Sequence, residues 1–434
     1  MCELDIHDKR ASASSQPPAL VVIGTRPEAI KLCPVVLALR DLGISTTICA
    51  TGQHREMVNE VIAGFDLQAD YCLNVLKRGQ SLSALTARLI SALGQLMEEI
   101  HPSMLIVQGD TTTTLCGAMA AFYARVPVAH VEAGLRSFDM AAPFPEEMNR
   151  VLTTRIAAFH FAPTEWAASN LKDEGIPPES IVVTGNTGID AVLRITAALE
   201  NGKALAEPFP LTRGKKLVLV TAHRRESFGL CFEQICSAVK QIGQRSDVEV
   251  VWPVHPNPHV RRAAHRILSH SEGVRLIAPL GYLAFVDLMR RAHLLLTDSG
   301  GIQEEGSSLG KPVLVLRNNT ERMEAVMAGT SKLVGTDASV IVEEVGRLLD
   351  DRSLYRRMAM NHSLYGDGRA STRVAHHIAV AVRGRDSGVF SPKTPSALEN
   401  AVDHVAVTRS KLWRSRLAGS ACGDIVDAVA REQS

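Results

Sequence analysis

Short aliphatic runs alternate with longer amphipathic stretches through most of this chain. Those in the first half read ALVVIG, MLIVQG, VPVAHVE and SIVVTGN, and those in the second half read KLVLVTA, VEVVWPV, GVRLIAP, HLLLTDS and KPVLVLR. Runs of this length, rich in branched residues, are typical of parallel strands that helices cover on both faces. The alternation therefore predicts an α/β protein built from doubly wound parallel sheets.

The chain length and a break in the pattern predict two domains. A chain of 434 residues, 46% of them hydrophobic, exceeds the size of one ordinary domain. We predict Rossmann-like domains at 19–200 and 215–365, joined by a linker at 201–214 that has glycine, proline and charge without periodicity. Residues 1–18 are predicted to be a disordered arm, 366–385 a further helix, and 386–434 an extension of unknown role.

The composition argues against nucleic acid, metal and membrane as partners. The net charge is +1 and aromatic residues make up 4%, so neither a basic surface nor stacking platforms are indicated. The eight cysteines are scattered without the spacing of a zinc site, which favours reduced core cysteines in a cytosolic protein. We find no secretory signal and no apolar stretch of membrane-helix length, so we expect a soluble protein.

Polar residues follow directly after the predicted strands, where sheets of this class form their binding sites. After the first strand, GTRPEAIK places Gly24, Arg26 and Lys31 around a predicted helix start. A glycine turn at a helix N terminus attracts anions, and the two cations would reinforce this attraction. The stretch favours phosphate binding, and an ordinary βα turn with surface cations is an equal alternative.

Three later junctions of the first domain each present a carboxylate. Asp110 follows the run MLIVQG, Glu132 ends VPVAHVE, and Glu146 lies in PFPEEMNR. Each alone could be a helix cap or a favourable charge at a helix start. Together they predict a cleft suited to proton transfer on both faces of a carbon atom.

The second domain presents histidines and a glycine loop instead. TAHRRESFG places His223 after a strand, and PVHPNP places His255 after the next one. TDSGGIQEE adds a loop at a helix start, with Ser299, Gly300, Gly301 and Glu305. Its backbone N–H groups suit phosphate and its carboxylate suits ribose hydroxyls, which predicts a nucleoside diphosphate. A glutamate pair that only favours the helix dipole is the alternative.

Nine motifs in this order between Ala19 and Val382 resemble the non-hydrolysing UDP-N-acetylglucosamine 2-epimerases: GTRPEAIKLCPVV, TGQHREM, QGDTTT, HVEAGLRS, PFPEEMNR, VTGN, TAHRRES, PVHPNP and TDSGGIQEE. The resemblance implies a GT-B-like fold with the active site in the interdomain cleft and the helix at 366–385 returning to the N-terminal domain. It implies reversible C2 epimerisation of UDP-GlcNAc to UDP-ManNAc through 2-acetamidoglucal, without NAD or metal. A cytoplasmic homodimer that supplies precursors of a cell-surface polysaccharide is implied as well.

The resemblance also assigns residues. The family's catalytic positions match Asp110, Glu132, Glu146 and His223. Its substrate-binding positions match Arg26, Lys31, His255, Phe285, Ser299, Gly300, Gly301, Glu305 and Arg322, with Phe285 near uracil and Glu305 on ribose. In bacterial members a second UDP-GlcNAc binds as an activator, and the matching positions are Gln53, His54 and Glu56.

Some positions depart from the family pattern. Around Arg322, the motif LRNNTERMEAV has Asn318 and Asn319 where an acidic residue and threonine are usual, and Met323 where proline is usual. Gly281 stands where an acid is common, and the arginine expected after LNVLK is displaced, since Gly79 follows Arg78. These departures concern the loop that holds Arg322 and the allosteric positions, whereas the four catalytic matches are intact.

Other functions stay open at this point. A hydrolysing relative would release free ManNAc and UDP, and another relative would act on a diacetamido-uronate UDP-sugar. A GT-B glycosyltransferase would share the fold but would not need three carboxylates around C2. A catalytically silent UDP-sugar sensor belongs to a different class. The intact GTRPEAIK favours the non-hydrolysing branch, and the four catalytic matches argue against a sensor.

Overall fold

The computed structural model describes residues 17–52, 55–77, 79–203, 207–224, 228–320, 322–360 and 363–386. Contacts within the chain divide it after Val382 into two units. Both sheets belong to the first unit, and of the second unit only residues 383–386, the end of a helix, are described.

The first sheet is built from the first half of the chain, and all of its pairings are parallel. Its strands are β1 (Ala19–Ile23), β2 (Thr46–Ala50), β3 (Tyr71–Cys72), β4 (Met104–Gln108), β5 (Val128–Val131), β6 (Phe159–Ala162) and β7 (Ile181–Val183). The helices are α1 (Arg26–Asp41), α2 (Arg55–Gly64), α3 (Leu82–Ile100), α4 (Thr112–Tyr123), α5 (Glu146–Ile156), α6 (Glu165–Asp173) and α7 (Thr187–Glu200), with a 3₁₀ turn at Pro178–Ser180.

The second sheet follows along the chain and is also parallel throughout. Its strands are β8 (Lys216–Thr221), β9 (Val248–Pro253), β10 (Val274–Ile277), β11 (Leu294–Thr297), β12 (Val313–Val315) and β13 (Ser331–Leu333). The helices are α8 (Leu230–Gly243), α9 (Pro258–Leu268), α10 (Tyr282–Arg291), α11 (Gly300–Ser308), α12 (Met323–Met327), α13 (Ala338–Asp350), α14 (Arg352–Met358) and α15 (Ala370–Asp386).

The two sheets share one topology. The seven-stranded sheet has the order β3-β2-β1-β4-β5-β6-β7, and the six-stranded sheet has the order β10-β9-β8-β11-β12-β13. Counted from the first strand of each, both contain the 3-2-1-4-5-6 order of the Rossmann fold. The order reverses between β1 and β4 and again between β8 and β11. The predicted α/β fold with two doubly wound parallel sheets is confirmed.

Burial explains why the aliphatic runs become central strands. All residues of β1, β4 and β11 are buried. Each buried valine, leucine or isoleucine contributes roughly 1.5–3 kcal/mol, so a run of them is stable only where helices cover both faces. The amphipathic helix α3 covers the sheet with one buried stripe, formed by Leu85, Leu89, Leu93 and Leu96.

The start of α15 is tied to the first half of the chain. Asp190 in α7 is buried, and its carboxylate accepts hydrogen bonds from the backbone N–H groups of Ala370 at 3.2 Å and Ser371 at 2.7 Å. A carboxylate at a helix N terminus also stabilises the helix dipole. The domain boundaries given above stay predictions. Throughout the described ranges, every helix is too short or too polar to cross a lipid bilayer.

Candidate active site

Buried Glu28 fixes the turn that follows β1. Its carboxylate accepts the backbone N–H of Gly24 at 3.1 Å and the hydroxyl of Thr111 at 2.7 Å. It therefore joins the ends of β1 and β4, the two strands at which the sheet order reverses. Gly24 is required here because a Cβ would lie 2.8 Å from the Thr113 Cβ. Burial raises the pKa of Glu28 above its usual range.

Lys31 and Glu132 form an ion pair at this edge, with side chains that are 20% and 12% exposed. Glu132 has a backbone φ of 65°, a left-handed conformation that costs a non-glycine residue on the order of 1–3 kcal/mol and is concentrated at functional sites. Burial opposes the charge on Lys31, but Glu132 and Glu304 outweigh it and raise the pKa of the lysine. Lys31 is therefore cationic beside the Glu132 carboxylate.

Asp110 follows β4 and is paired with Arg150 from α5. Their Oδ2 and Nη2 atoms are 3.0 Å apart. Asn149 donates to the carbonyl oxygen of Asp110 at 2.8 Å, so α5 also braces the turn. Burial raises the pKa of Asp110 and nearby Glu146 raises it further, although Arg150 and Lys31 oppose the rise. Because its pKa is raised, the protonated and ionised forms of Asp110 lie closer in free energy near neutral pH than those of an ordinary aspartate.

The neighbouring glutamates of PFPEEMNR have different surroundings. Glu147 is 1% exposed, and its carboxylate accepts the backbone N–H groups of Ser137 and Phe138 at 3.0 Å each. It therefore holds the loop before α5. Glu146, the first residue of α5, is half-buried and close enough to affect Asp110. Of the two glutamates, Glu146 is the one available for chemistry.

His223 follows β8 and lies against Asp298, which follows β11. The His223 Nδ1 and Asp298 Oδ1 atoms are 3.4 Å apart, with the histidine side chain 38% exposed and the aspartate fully buried. His255, beyond the end of β9, stacks on His223 with a ring separation of 5.3 Å. Burial lowers the pKa of His255, and the charge of His223 lowers it further.

The glycine loop after β11 leads into α11, whose N-cap is Ser299. A Cβ on Gly300 would lie 2.7 Å from the Arg322 Cζ, whereas a Cβ on Gly301 would meet nothing within 4 Å. Gly300 therefore allows the Arg322 guanidinium to lie beside the helix N terminus, where Arg322 donates to Glu304 at 2.9 Å. A helix N terminus beside a guanidinium is a favourable place for an anion.

Glu305 lies one residue further along α11, and the Tyr282 hydroxyl donates to it at 3.3 Å. Burial raises the pKa of Glu305 to about 7, and Glu304 adds to the rise. The Arg26 Cζ lies 6.0 Å from the centre of the Tyr282 ring. Phe285, in the next turn of α10, is 9% exposed and belongs to the apolar core.

Polar contacts connect the carboxyl edges of the two sheets. Asn186, the N-cap of α7, donates a hydrogen bond to Glu304 in α11. Arg26, at the start of α1, donates to the carbonyl oxygen of Leu280 at 3.4 Å. Glu304 also favours the charged form of Lys31. The carboxyl groups of the first sheet and the glycine loop of the second therefore face a common space.

This arrangement separates two kinds of chemistry. The first sheet contributes carboxyl groups paired with Lys31 and Arg150, which suits proton transfer. The second contributes the stacked histidines and the glycine loop, which suit a bound diphosphate. The described residues contain no group of three or more histidine, cysteine, aspartate or glutamate side chains placed to hold a metal ion.

A family model for UDP-N-acetylglucosamine 2-epimerase matches residues 38–379 of the chain. The UDP-N-acetylglucosamine 2-epimerase of Salmonella typhimurium is 51% identical over 362 residues, which are 82% of this chain and 96% of the relative. The chain belongs to this family. The resemblance inferred from the nine motifs is therefore confirmed.

Solved structures of the epimerase family agree with the fold. The enzyme from Neisseria meningitidis, bound to UDP-GlcNAc, has a TM-score of 0.78 and 44% identity, and the match covers 83% of this chain and 99% of that one. The Methanocaldococcus jannaschii enzyme, in complex with UDP-GlcNAc and UDP, has a TM-score of 0.69 and 33% identity over 83% and 99% of the two chains. The expected GT-B-like fold is confirmed.

The positions matched to the family's allosteric site are only partly described. Glu56, in the first turn of α2, is exposed. Gln53 and His54 lie outside the described residues, as does Arg78. The allosteric assignment stays a prediction.

Several residues that shape this epimerase site were not singled out from the sequence. Asp298, Tyr282 and Asn186 each contact a predicted site residue or link the two sheets. Asp298 could have been suspected because it directly follows a strand at the reversal of sheet order. His130, beside Glu132, is instead fully buried with a pKa lowered by burial to about 3, and its Nε2 contacts the carbonyl oxygen of Gly109 at 2.8 Å. His130 is a neutral core residue.

Proposed function

We propose that this chain interconverts UDP-GlcNAc and UDP-ManNAc without net hydrolysis. The observation that carries the proposal is a group of carboxyl side chains at the carboxyl edge of one sheet, with a histidine and a glycine loop of the other sheet facing it. Epimerisation at C2 needs acid and base groups near the sugar and a stabilised leaving diphosphate. Family membership and the ligands of the solved relatives support this substrate.

In the proposed reaction, a carboxylate removes the proton from C2 while the bond between C1 and the diphosphate oxygen breaks. The C2–H electrons form the C1–C2 double bond of 2-acetamidoglucal, and the electrons of the broken bond leave with UDP. His223 gives a proton to the departing diphosphate oxygen. In the second half, C2 receives a proton on its opposite face, UDP adds back to C1, and the proton returns to His223. Asp110, Glu132 and Glu146 are the proposed groups around C2.

The substrate is proposed to lie between the carboxyl groups of the first sheet and the glycine loop of the second. Ser299, Gly300 and Gly301 at the start of α11 would hold the diphosphate, with Arg322, Arg26, Lys31 and His255 supplying positive charge or hydrogen bonds. Glu305 would accept from ribose hydroxyls in place of the Tyr282 hydroxyl. Phe285, whose side chain is 9% exposed, is proposed to lie near uracil.

We further propose that the protein is a cytoplasmic homodimer serving polysaccharide synthesis. Large apolar side chains are exposed on two adjacent helices, with Phe122 at 62% and Tyr123 at 69% on α4, and Leu152 at 42% on α5. Exposed apolar side chains on neighbouring elements favour a protein interface. None of the six described cysteines takes part in a disulfide, which suits a reducing compartment. Sedimentation of wild type and F122E/Y123E tests the dimer: a monomeric variant supports it, and a monomeric wild type contradicts it.

The function is tested by incubating the purified protein with UDP-GlcNAc alone and separating the products by anion-exchange chromatography. We expect UDP-ManNAc at equilibrium with UDP-GlcNAc and no accumulating free UDP. Stoichiometric free ManNAc and UDP would instead identify a hydrolysing enzyme. Tight binding of UDP-GlcNAc without any conversion would identify a sensor. Turnover of a diacetamido-uronate UDP-sugar, with UDP-GlcNAc left unchanged, would show that the uronate sugar nucleotide is the substrate.

A further inference from the structure

Asp298 lies where the second sheet reverses its strand order. It follows β11 directly, its backbone N–H donates to the carbonyl oxygen of Thr221 at the end of β8 at 3.1 Å, and its side chain is fully buried. The hydroxyls of Thr221 and Thr297 meet at 2.6 Å beside it. The carboxyl group is therefore held rigidly at the joint between the two central strands.

The two oxygens of this carboxyl group have different partners. Oδ2 accepts the backbone N–H groups of His223 at 2.7 Å and Arg224 at 2.8 Å. Oδ1 is buried without a hydrogen bond from any described residue, and it lies 3.4 Å from the His223 Nδ1. A buried carboxylate oxygen without a hydrogen bond is unfavourable because it has lost water and gained no donor. A small rotation of the imidazole would satisfy it with an Nδ1–H donor.

The stacked partner, His255, has the opposite arrangement. Its Nδ1 accepts the backbone N–H of Asn257 at 3.2 Å, which leaves the proton on Nε2. Burial and the charge of His223 both lower its pKa. Of these two stacked rings, only that of His223 faces a carboxylate through Nδ1.

We infer that Asp298 is a positioning residue that holds His223 with Nδ1–H toward its Oδ1 and stabilises the imidazolium. The inference rests on the proposed function, in which His223 donates a proton to the leaving diphosphate. With Nδ1 held by Asp298, the ring presents Nε2–H to the substrate. The proton passes from Nε2 to the diphosphate oxygen in elimination and returns to Nε2 when UDP adds back.

The alternative is that Asp298 only folds the turn through its two backbone hydrogen bonds. Asp298→Asn separates the two roles. The backbone N–H groups of His223 and Arg224 require an oxygen, so the asparagine must keep its carbonyl oxygen there and turn its NH2 group toward His223 Nδ1. The turn is kept, but Nδ1 must become an acceptor and the imidazolium loses its partner.

We expect D298N to lower kcat by about 100-fold or more, as loss of general acid catalysis does, while KM changes by less than about 3-fold. The matched control is D337N, because Asp337 also accepts two backbone N–H groups, at 2.9 and 3.1 Å, but caps α13 away from the site. D337N should keep wild-type kcat and KM. A D298N enzyme with kcat within about 3-fold of wild type would overturn the inference.

Long-range ¹H–¹⁵N spectra of protein labelled with ¹⁵N at histidine show which ring nitrogen carries the proton. The His223 signals are assigned by their absence from the spectrum of H223Q. Wild-type His223 should carry its proton on Nδ1, or on both nitrogens, and in D298N it should move to Nε2 while His255 keeps Nε2–H. Wild-type His223 protonated on Nε2 alone would overturn the inference, even if D298N did not fold. This result stands apart from turnover, so an inactive wild type would refute the proposed epimerase without deciding the role of Asp298.

Discussion

The two halves of this molecule contain the same strand order, and each has polar residues at the carboxyl edge of its sheet. The kinds of residue at the two edges differ. At the carboxyl edge of the first sheet, Asp110 and Glu132 are paired with cations from α5 and α1. At the reversal of the second sheet, a buried aspartate faces His223, and a glycine loop opens α11. The topology therefore fixes where a site forms, while the few residues that follow each strand decide what it does.

The largest expected effect comes from removing a carboxyl group of the first half. Asp110→Asn should lower kcat by about 1,000-fold, because an acid or base group beside C2 would be lost. The affinity for UDP, measured by calorimetry, should stay within about 3-fold because Asp110 is not among the proposed nucleotide contacts. Glu165→Gln, an exposed carboxylate at the start of α6, is the control and should match wild type. Equal losses of kcat and UDP affinity in D110N would contradict this division of roles.

The next effect concerns the glycine loop of the second half, measured as Tm of the nucleotide-free protein. Gly300→Ala should lower Tm by several degrees, because its Cβ would lie 2.7 Å from the Arg322 Cζ and displace the arginine from Glu304. Gly301→Ala is the matched control, since its Cβ meets nothing within 4 Å. It should leave Tm unchanged or raise it by about 2 °C through better helix propensity. Equal Tm values for the two variants would show that Gly300 is not constrained by Arg322.

A smaller effect distinguishes Glu305 from the paired carboxylates of the first half. Burial raises its pKa to about 7, above its unfolded value of about 4.3. Since the folded state resists ionisation, the free protein loses stability as pH rises from about 4.3 to 7 and stays lower above that range. Glu305→Gln should therefore raise Tm by a few degrees at pH 8 and leave it unchanged at pH 4. A shift of equal size at both pH values would exclude an ionisation effect.

The smallest effect concerns the approach of α2 to α10. Gly281 precedes α10, and a Cβ there would collide with the Glu60 carboxylate, lying 2.6 Å from its Cδ. Gly281→Asp would bring a second carboxylate from a half-buried position toward exposed Glu60, which costs up to about 1 kcal/mol. Gly281→Asn has the same size without the charge. We expect G281D to have the lower Tm of the two by about 2 °C at low salt, and the difference should vanish near 0.5 M salt. A salt-independent difference would point to steric crowding instead.

Much of the fold followed from the sequence because buried parallel strands leave a local signal. The runs ALVVIG and HLLLTDS became β1 and β11, which are buried along their whole length. The two-residue strand β3 leaves no such signal, since Tyr71 and Cys72 are only half-buried. Its pairing with β2 depends on contacts across the sheet, which no local pattern encodes.

The positions of Asp110 and His223 at the carboxyl edges of the sheets could be predicted, because each lies two residues after a buried strand. The partners of these residues could not, because pairing depends on distances between elements remote in sequence. Asp298 meets His223 across 75 residues, and Asn186 meets Glu304 across 118. The left-handed backbone of Glu132 was equally hidden, since glutamate has no preference for that conformation.

We propose that the carboxyl groups of the first half exchange the C2 proton while the second half makes most of the contacts to UDP. Proton NMR of the wild-type protein with UDP-GlcNAc in D2O, without NAD or added metal, tests it most directly. We predict that UDP-ManNAc appears with deuterium at C2 and that the recovered UDP-GlcNAc also gains deuterium there. UDP-ManNAc that retains the original C2 proton would contradict the account, since it would require inversion without exchange through these carboxyl groups.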